Sequence, residues 1–221
     1  MAKSESSDRV NMACVGSKKT LEVLLSRLEG FKGPKVRAEQ YATEVEIAAE
    51  VLWNAFMKGY IGKVSVDLGC GPGMLGIGLL ALGAQKVYFV DFDGKVLDTA
   101  KKNLEKVQSE GYSLGEAVFI CADVNDFNEP ADLVVMNPPF GVKVRHMDQV
   151  FLKKAFEISK IVYSFHKTES KKFLDSFSRD NGFKITEVFD FNFPLKATMS
   201  YHTRRIKRIG VSCFRIEKKD F

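Results

Sequence analysis

Leu21, Leu24, Leu25 and Leu28 recur at the spacing that puts side chains on one face of a helix, and Gly30 ends the run, so a helix is predicted over Thr20 to Glu29. A second stripe, Ile47, Ala48, Val51, Leu52, Ala55 and Phe56, runs up to Gly59 behind Thr43 and Glu46, which have the spacing of a capping box. From Lys63 the pattern changes. Near-continuous apolar runs at Val64–Asp67, Lys86–Asp91, Ala117–Cys121, Leu133–Met136 and Ile161–Phe165 read as strands covered on both faces. Helical stripes lie between them at Met74–Leu82, Gly94–Val107, Gln149–Ser159 and Glu169–Asn181, capped in turn by a glycine loop, Asp93, Asp148 and Thr168. Alternating strand and helix calls for right-handed crossovers and a parallel sheet. Phe183–Phe191 and Ile209–Ile216 have no helix between them and predict a closing antiparallel pair. The expected architecture is therefore α/β: a mostly parallel seven-stranded sheet, an antiparallel C-terminal pair, helices on both faces and an N-terminal helical extension. Residues 1–19, polar and small, read as a flexible tail. Residues 20–221 read as a single domain, with N-terminal helices over 20–60 and the core over 61–221.

Composition narrows the class. With 221 residues, 45% hydrophobic and 28% charged, the chain has a globular balance and room for one sizeable core. Its longest apolar stretches fall far short of the roughly 20 residues of a membrane span, and the polar start lacks the apolar segment of a secretory signal, so no membrane association and a cytoplasmic location are expected. Cys14, Cys70, Cys121 and Cys213 are scattered, with no metal or redox spacing, and read as structural thiols. The net charge of +5 is uneven: from Lys196 onward eight Lys or Arg face two acids, so that end carries +6 and the preceding residues about −1. A basic end on a near-neutral body suits a polyanionic partner, though charge alone does not separate that from a solvated face.

The candidate chemistry starts at VDLGCGPGMLGIG, residues 66–78, which ends a strand and opens a helix. Gly69, Gly71 and Gly73 let the backbone turn sharply and approach a ligand, and the helix start offers N–H groups to it. Gly71, Gly73 and Gly76 also satisfy dinucleotide spacing, with Asp91 about 20 residues on, so the loop alone does not choose between a nicotinamide dinucleotide and S-adenosylmethionine. Asp91 is assigned to a ribose and Asp93 to a helix cap. Asp67, Asp91, Asp123 and Asn137 all end strands, which places them toward one crevice.

VVMNPPFG, residues 134–141, then brings Asn137, Pro138, Pro139 and Phe140 to a strand exit. The Asn137 amide oxygen and the Pro138 carbonyl, fixed by the two prolines, form a pair of acceptors suited to an –NH₂ group, and Phe140 offers a flat face for a planar base. Such a clamp favours the tetrahedral, nucleophilic form of an amine, and works by positioning and electrostatics.

These motifs resemble the class I S-adenosylmethionine-dependent amino-methyltransferases, whose signature is a glycine loop followed by (D/N)PP(F/Y). PKVRAEQYAT (34–43), the glycine loop, VVMNPPFG and VYSFHK (162–167), in that order, are similar to the enzymes that make N6-methyladenosine in small-subunit ribosomal RNA. The resemblance implies a class I Rossmann-like methyltransferase fold, S-adenosylmethionine as cofactor and ribosomal RNA as substrate; from the cysteine spacing no metal is expected. It brings Gln40 and Thr43 to the cofactor, beside Asp67, Gly69, Gly71, Gly73, Asp91, Asp123 and Val124. The TEVEIAA that follows departs from relatives that carry Arg and Pro after the Thr. Lys143, Arg145 and His146 would form a lip touching phosphates, and YHTRRIKRIG (201–210) would add Tyr201, His202, Arg204, Arg205, Lys207 and Arg208. Relatives bind a small zinc-binding activator through the strand Val118 to Cys121, which is expected to be an uncharged sheet edge after Glu116. His166, on an aromatic-flanked strand, is read as structural rather than as a base. Two other functions stay open: the same fold acting on a guanine N2, a DNA adenine or a protein glutamine, and a non-catalytic RNA-binding module.

Overall fold

The computed structural model of the chain describes residues 15–31, 43–139, 147–194 and 208–219. Each apolar run expected to be a strand is one: Val64–Leu68 (β1), Lys86–Asp91 (β2), Glu116–Cys121 (β3), Leu133–Met136 (β4), Ile161–Lys167 (β5), Phe183–Pro194 (β6) and Arg208–Lys218 (β7). They form a seven-stranded sheet in the order β3-β2-β1-β4-β5-β7-β6. Strands β1 to β5 pair in parallel, and β7 lies antiparallel between β5 and β6. Because the order reverses between β1 and β4, the connections leaving them part to opposite faces and open a crevice at their carboxyl ends.

Lys18–Leu25 (α1), Val45–Met57 (α2), Met74–Ala81 (α3) and Gly94–Ser109 (α4) cover one face, burying Leu21, Leu52, Ile77 and Leu97 against Phe89, Val135 and Phe165. Met147–Ile158 (α5) and Lys171–Asp180 (α6) cover the other, where Phe151, Leu152 and Leu174 meet Val134, Met136 and Phe214. Every strand facing both layers is thus apolar on both sides, which is why strict alternation is absent from the sequence.

Several local expectations are corrected. The polar tail does not extend to Lys19: Val15 is fully buried and the Ser17 hydroxyl accepts the Thr20 N–H at 3.1 Å, capping α1, while residues 1–14 lie outside the described residues. Thr43 does not cap α2, whose N-cap position is Glu44 without a side-chain bond. Thr168 does not cap α6 either. It lies in a short 3-10 turn, Thr168–Ser170, with its hydroxyl 2.8 Å from that of Ser212 on β7. Asp93 does cap α4, accepting the Lys95 N–H at 3.0 Å. Strand β3 is the expected edge, with Phe119 stacked on Phe89 at 4.7 Å and the Lys101 ammonium 5.8 Å above the Phe119 ring.

Candidate active site

Gly69, Gly71 and Gly73 leave β1 with φ of 73°, 52° and 86°, a left-handed path that β-carbons disfavour. This loop is held from several sides. Asp67 Oδ2 accepts the Gly76 N–H at 2.7 Å, Asp91 Oδ2 accepts the Gly71 N–H at 2.9 Å, and Asp91 Oδ1 accepts the Asp93 N–H at 3.0 Å. Asn103 of α4 ties the loop to the exit of α1, donating to the Pro72 carbonyl at 3.0 Å and the Glu29 carbonyl at 2.9 Å. Phe31 closes over Gly71, where a β-carbon would stand 2.7 Å from its ring, and Gly76 lets α3 lie flush on Phe89, where a β-carbon would meet the ring at 2.3 Å.

The two acids of this loop differ in setting. Asp67 is 1% exposed. Burial pushes its carboxyl up to about 7, helped by the charge of Asp91 and opposed by the Gly76 N–H. Asp91, half-buried, is raised mainly by burial and held down by the N–H groups of Asp93 and Gly71. Asp67 therefore does not open into the crevice as expected from its strand-end position; it braces the loop from beneath. Asp123 is exposed and accepts both the backbone and side-chain N–H of Asn125 at 2.9 Å, starting a 3-10 turn in which Val124 is buried.

At the neighbouring strand end, β4 delivers Asn137, half-buried, and Pro138, buried. Asn137 Nδ2 donates to the Thr43 hydroxyl at 2.9 Å, across 94 residues of chain. Thr43 is itself buried at the foot of α2, so its hydroxyl serves the site and not the helix. The structure brings Thr43, Gly69, Gly71, Gly73, Asp91 and Asn137 to the carboxyl end of the sheet around the order reversal. Gln40, Phe140, Lys143, Arg145, Tyr201, His202, Arg204, Arg205 and Lys207 lie outside the described residues, and Arg208 opens β7.

Other residues at this rim escape sequence reasoning. Phe92 directly follows Asp91 and is 72% exposed; an aromatic between two acids at a strand end, FVDFD, was the available signal. No local signal marks Phe31. Lys167 ends β5 two residues past Phe165, hence on the same sheet face, while Lys171 and Lys172 stand exposed at the start of α6. His166 is buried, with Nε2 2.5 Å from the Ser164 hydroxyl and its ring edge-on to Phe214, and burial lowers its pKa to about 3. That is a neutral structural histidine, as read from its strand. Among the described residues no group of His, Cys, Asp or Glu could hold a metal ion, and no helix is long and apolar enough to cross a membrane.

A glycine loop after β1, a carboxylate ending β2, Asn-Pro-Pro ending β4 and an antiparallel β6–β7 pair define a Rossmann-like methyltransferase. The methyltransferase small-domain family model matches residues 41–160, and the chain belongs to this family. Its cofactor is S-adenosylmethionine, which resolves the choice the glycine loop left open. An uncharacterized protein of Methanocaldococcus jannaschii is 36% identical over 92% of this chain and 95% of its own length. The rRNA N(6)-adenosine-methyltransferase Mettl5 of Drosophila melanogaster is 32% identical over 89% of this chain and 94% of its own. The crystal structure of a putative RNA methyltransferase from Pyrococcus horikoshii superposes with a TM-score of 0.79 at 40% identity, covering 91% of this chain and 98% of that one.

Proposed function

We propose that this protein transfers a methyl group to the N6 amine of an adenosine in ribosomal RNA, that of the small subunit. The observation that carries the reading is Asn137-Pro138 at the end of β4, with the amide held by Thr43 beside the glycine loop. The Drosophila relative, alike along most of both chains, supports ribosomal RNA and the adenine amine.

The glycine loop suits the cofactor: its positive-φ turns carry the backbone from β1 into the start of α3 at the strand-order reversal, with Asp91 as ribose acceptor and Asp123 and Val124 beside the base. Phe92 adds a ring face for that base. Gln40 is assigned here from the family resemblance. When bound, S-adenosylmethionine supplies an electrophilic methyl. The chain's part is to prepare the amine. Asn137 Oδ1 and the Pro138 carbonyl accept its two N–H groups and draw the nitrogen lone pair out of conjugation with the ring, while Pro139 stiffens the turn and Phe140 stacks on the base. Attack by the lone pair would form the N–C bond as the methyl–sulfur bond breaks, with S-adenosylhomocysteine as the leaving group and the amine's surplus proton passing to water.

RNA is taken by the basic rim. Lys143, Arg145, Tyr201, His202, Arg204, Arg205, Lys207 and Arg208 are assigned to it from sequence, and Lys167, Lys171 and Lys172 extend it along β5 and α6. Two lysines in the first turn of a helix oppose its dipole, and neither makes an ion pair among the described residues. A phosphate track gives them a role. In Lys171→Glu/Lys172→Glu, KM for RNA should rise about tenfold near physiological salt, and the salt dependence of binding should flatten by about two charges. Fluorescence titration at several salt concentrations checks this; an unchanged slope removes these lysines from the RNA surface.

A zinc-binding activator on the outer edge of β3 belongs to the same proposal. Mixing the two proteins should slow amide exchange in Val118–Cys121, and unchanged exchange would count against that contact.

The reading as a whole is tested with radiolabelled S-adenosylmethionine, both ribosomal subunit RNAs and digestion to nucleosides. Label in N6-methyladenosine of the small-subunit RNA is the expected result. Label in N2-methylguanosine, in DNA or in protein would move the assignment to another amine. Cofactor binding without any transfer would favour the non-catalytic module.

A further inference from the structure

Asn103 breaks the pattern of its own helix. The buried stripe of α4 runs through Leu97, Ala100, Leu104 and Val107, and within it stands an asparagine that is 1% exposed, a poor helix former where an apolar side chain is favoured. Its amide is met by backbone from two distant segments. Oδ1 accepts the Glu29 N–H at 2.8 Å, while Nδ2 donates to the Glu29 carbonyl at 2.9 Å and to the Pro72 carbonyl at 3.0 Å. The partners fix the orientation, because a turned amide would set its oxygen against two carbonyls and its N–H groups against a third donor. A leucine would complete the stripe, but would leave three backbone polar groups facing an apolar side chain.

The loop it reaches is one that needs holding. Gly69, Gly71 and Gly73, all at positive φ, give the backbone a freedom that a ligand would otherwise have to remove on binding. From the β2 side the loop is pinned by its N–H groups: Gly69 and Cys70 donate to the Val90 carbonyl at 2.8 and 3.0 Å, and Gly71 donates to Asp91 at 2.9 Å. From the α4 side, Asn103 holds the Pro72 carbonyl. The same amide fastens the exit of α1, which α4 grips at two further points. Lys106 Nζ donates to the Arg27 carbonyl at 2.9 Å, and the Arg27 guanidinium pairs with Glu110 at 2.6 Å. Asn103, Lys106 and Glu110 follow one side of α4 at helical spacing, so the exit lies along it as a strap. Two residues beyond Glu29 this strap sets the half-buried ring of Phe31 against Gly71. The Gly71–Pro72 turn is thus held by Asp91, Asn103 and Phe31, from three different segments.

We propose that Asn103 is a positioning residue for S-adenosylmethionine: it holds the Gly71–Pro72 turn in the shape that receives the cofactor and, through Glu29, seats Phe31 against that turn, which makes the exit of α1 part of the cofactor site. This role rests on the glycine loop as the seat of the cofactor and is independent of the amine and the RNA assigned above.

The test is calorimetric titration of the full chain with S-adenosylmethionine, without RNA. Asn103→Leu should raise the dissociation constant about tenfold, the scale of a buried hydrogen-bonding group removed from its partners. Val107→Ala, in the same stripe but one turn further along α4, lowers stability without touching the loop, and its dissociation constant should stay within about twofold of wild type. Phe31→Ala should raise the constant about threefold on its own and add little to Asn103→Leu, because the strap that seats the ring has already been released. A second readout follows from the reciprocity of coupling: S-adenosylhomocysteine should slow exchange of the Glu29 amide hydrogen in wild type and in Val107→Ala, and not in Asn103→Leu. If Asn103→Leu does not fold, Phe31→Ala and the Glu29 exchange in wild type decide the matter. Unchanged affinity in a folded Asn103→Leu, an equal loss in Val107→Ala, or Glu29 exchange indifferent to ligand would overturn the assignment. Wild-type protein that does not bind S-adenosylmethionine would instead remove the cofactor from the glycine loop, and this role with it.

Discussion

Asn137→Ala should reduce methyl transfer by about 10²–10³-fold, the range seen when one preorganised hydrogen-bonding group is removed from a transition state. Cofactor affinity should stay within about twofold of wild type, because the glycine loop and Asp91 are held by their own contacts and none of those runs through Asn137. The fall should be in kcat more than in KM for RNA, since the amide acts on the nitrogen as it becomes tetrahedral and contributes little to holding the polymer. Asn137→Asp is the informative companion. A carboxylate still offers an acceptor to the amine, and the Thr43 hydroxyl can rotate to donate to it. Its activity should therefore lie between wild type and the alanine variant. Single-turnover measurements with saturating cofactor separate the chemical step from RNA binding, and an alanine variant that loses only RNA affinity would remove Asn137 from the chemistry.

The division between what the sequence makes legible and what it hides follows the range of the interactions concerned. The strand runs, the parallel core, the β3 edge and the closing β6–β7 pair are written in local apolar periodicity, and all of them are present. The glycine loop is legible because positive φ is a local demand that selects glycine. The errors sit where a short polar side chain had a local and a distant partner to choose from. Thr43 and Thr168 both stand at capping positions by spacing, and both spend their hydroxyls elsewhere, on Asn137 and on Ser212. A capping bond contributes about 1 kcal/mol, comparable to any other single hydrogen bond, so tertiary context decides. Asp67 was misplaced for a related reason: strand-end position tells which edge of the sheet an acid reaches, but not whether its carboxylate turns outward or beneath the loop. Phe31 on Gly71 and Asn103 on Pro72 bridge segments that no periodicity connects.

Asp67 and His166, both buried, should give pH effects of opposite sign that nearly cancel in wild type. His166 is held neutral, its pKa lowered to about 3 from an ordinary 6.5. A depressed base contributes stability above its unfolded pKa and loses it as pH falls through the folded value, because the unfolded chain takes a proton that the folded one refuses. Asp67 runs the other way. Raised from 3.8 to about 7, it contributes stability at low pH that is lost as pH rises through 7, because the folded chain keeps a proton that the unfolded one has released. Between about pH 4 and 6.5 unfolding therefore takes up one proton at His166 and releases one at Asp67, and these two groups leave the stability level. Removing either exposes the other. Asp67→Asn, whose amide oxygen can still accept the Gly76 N–H, should become more stable relative to wild type as pH rises across that window. His166→Gln, which can still bond Ser164, should become less so. Each slope approaches about 1.4 kcal/mol per pH unit, or about 3 kcal/mol across the window. Asp91, raised by burial as well, adds an Asp67-like slope to all three proteins and drops out of the differences. Urea unfolding of wild type and both variants from pH 4 to 7 measures this directly. Parallel curves would mean that neither group is shifted in the folded protein, and slopes of the same sign would mean that one of the two burials has been misread.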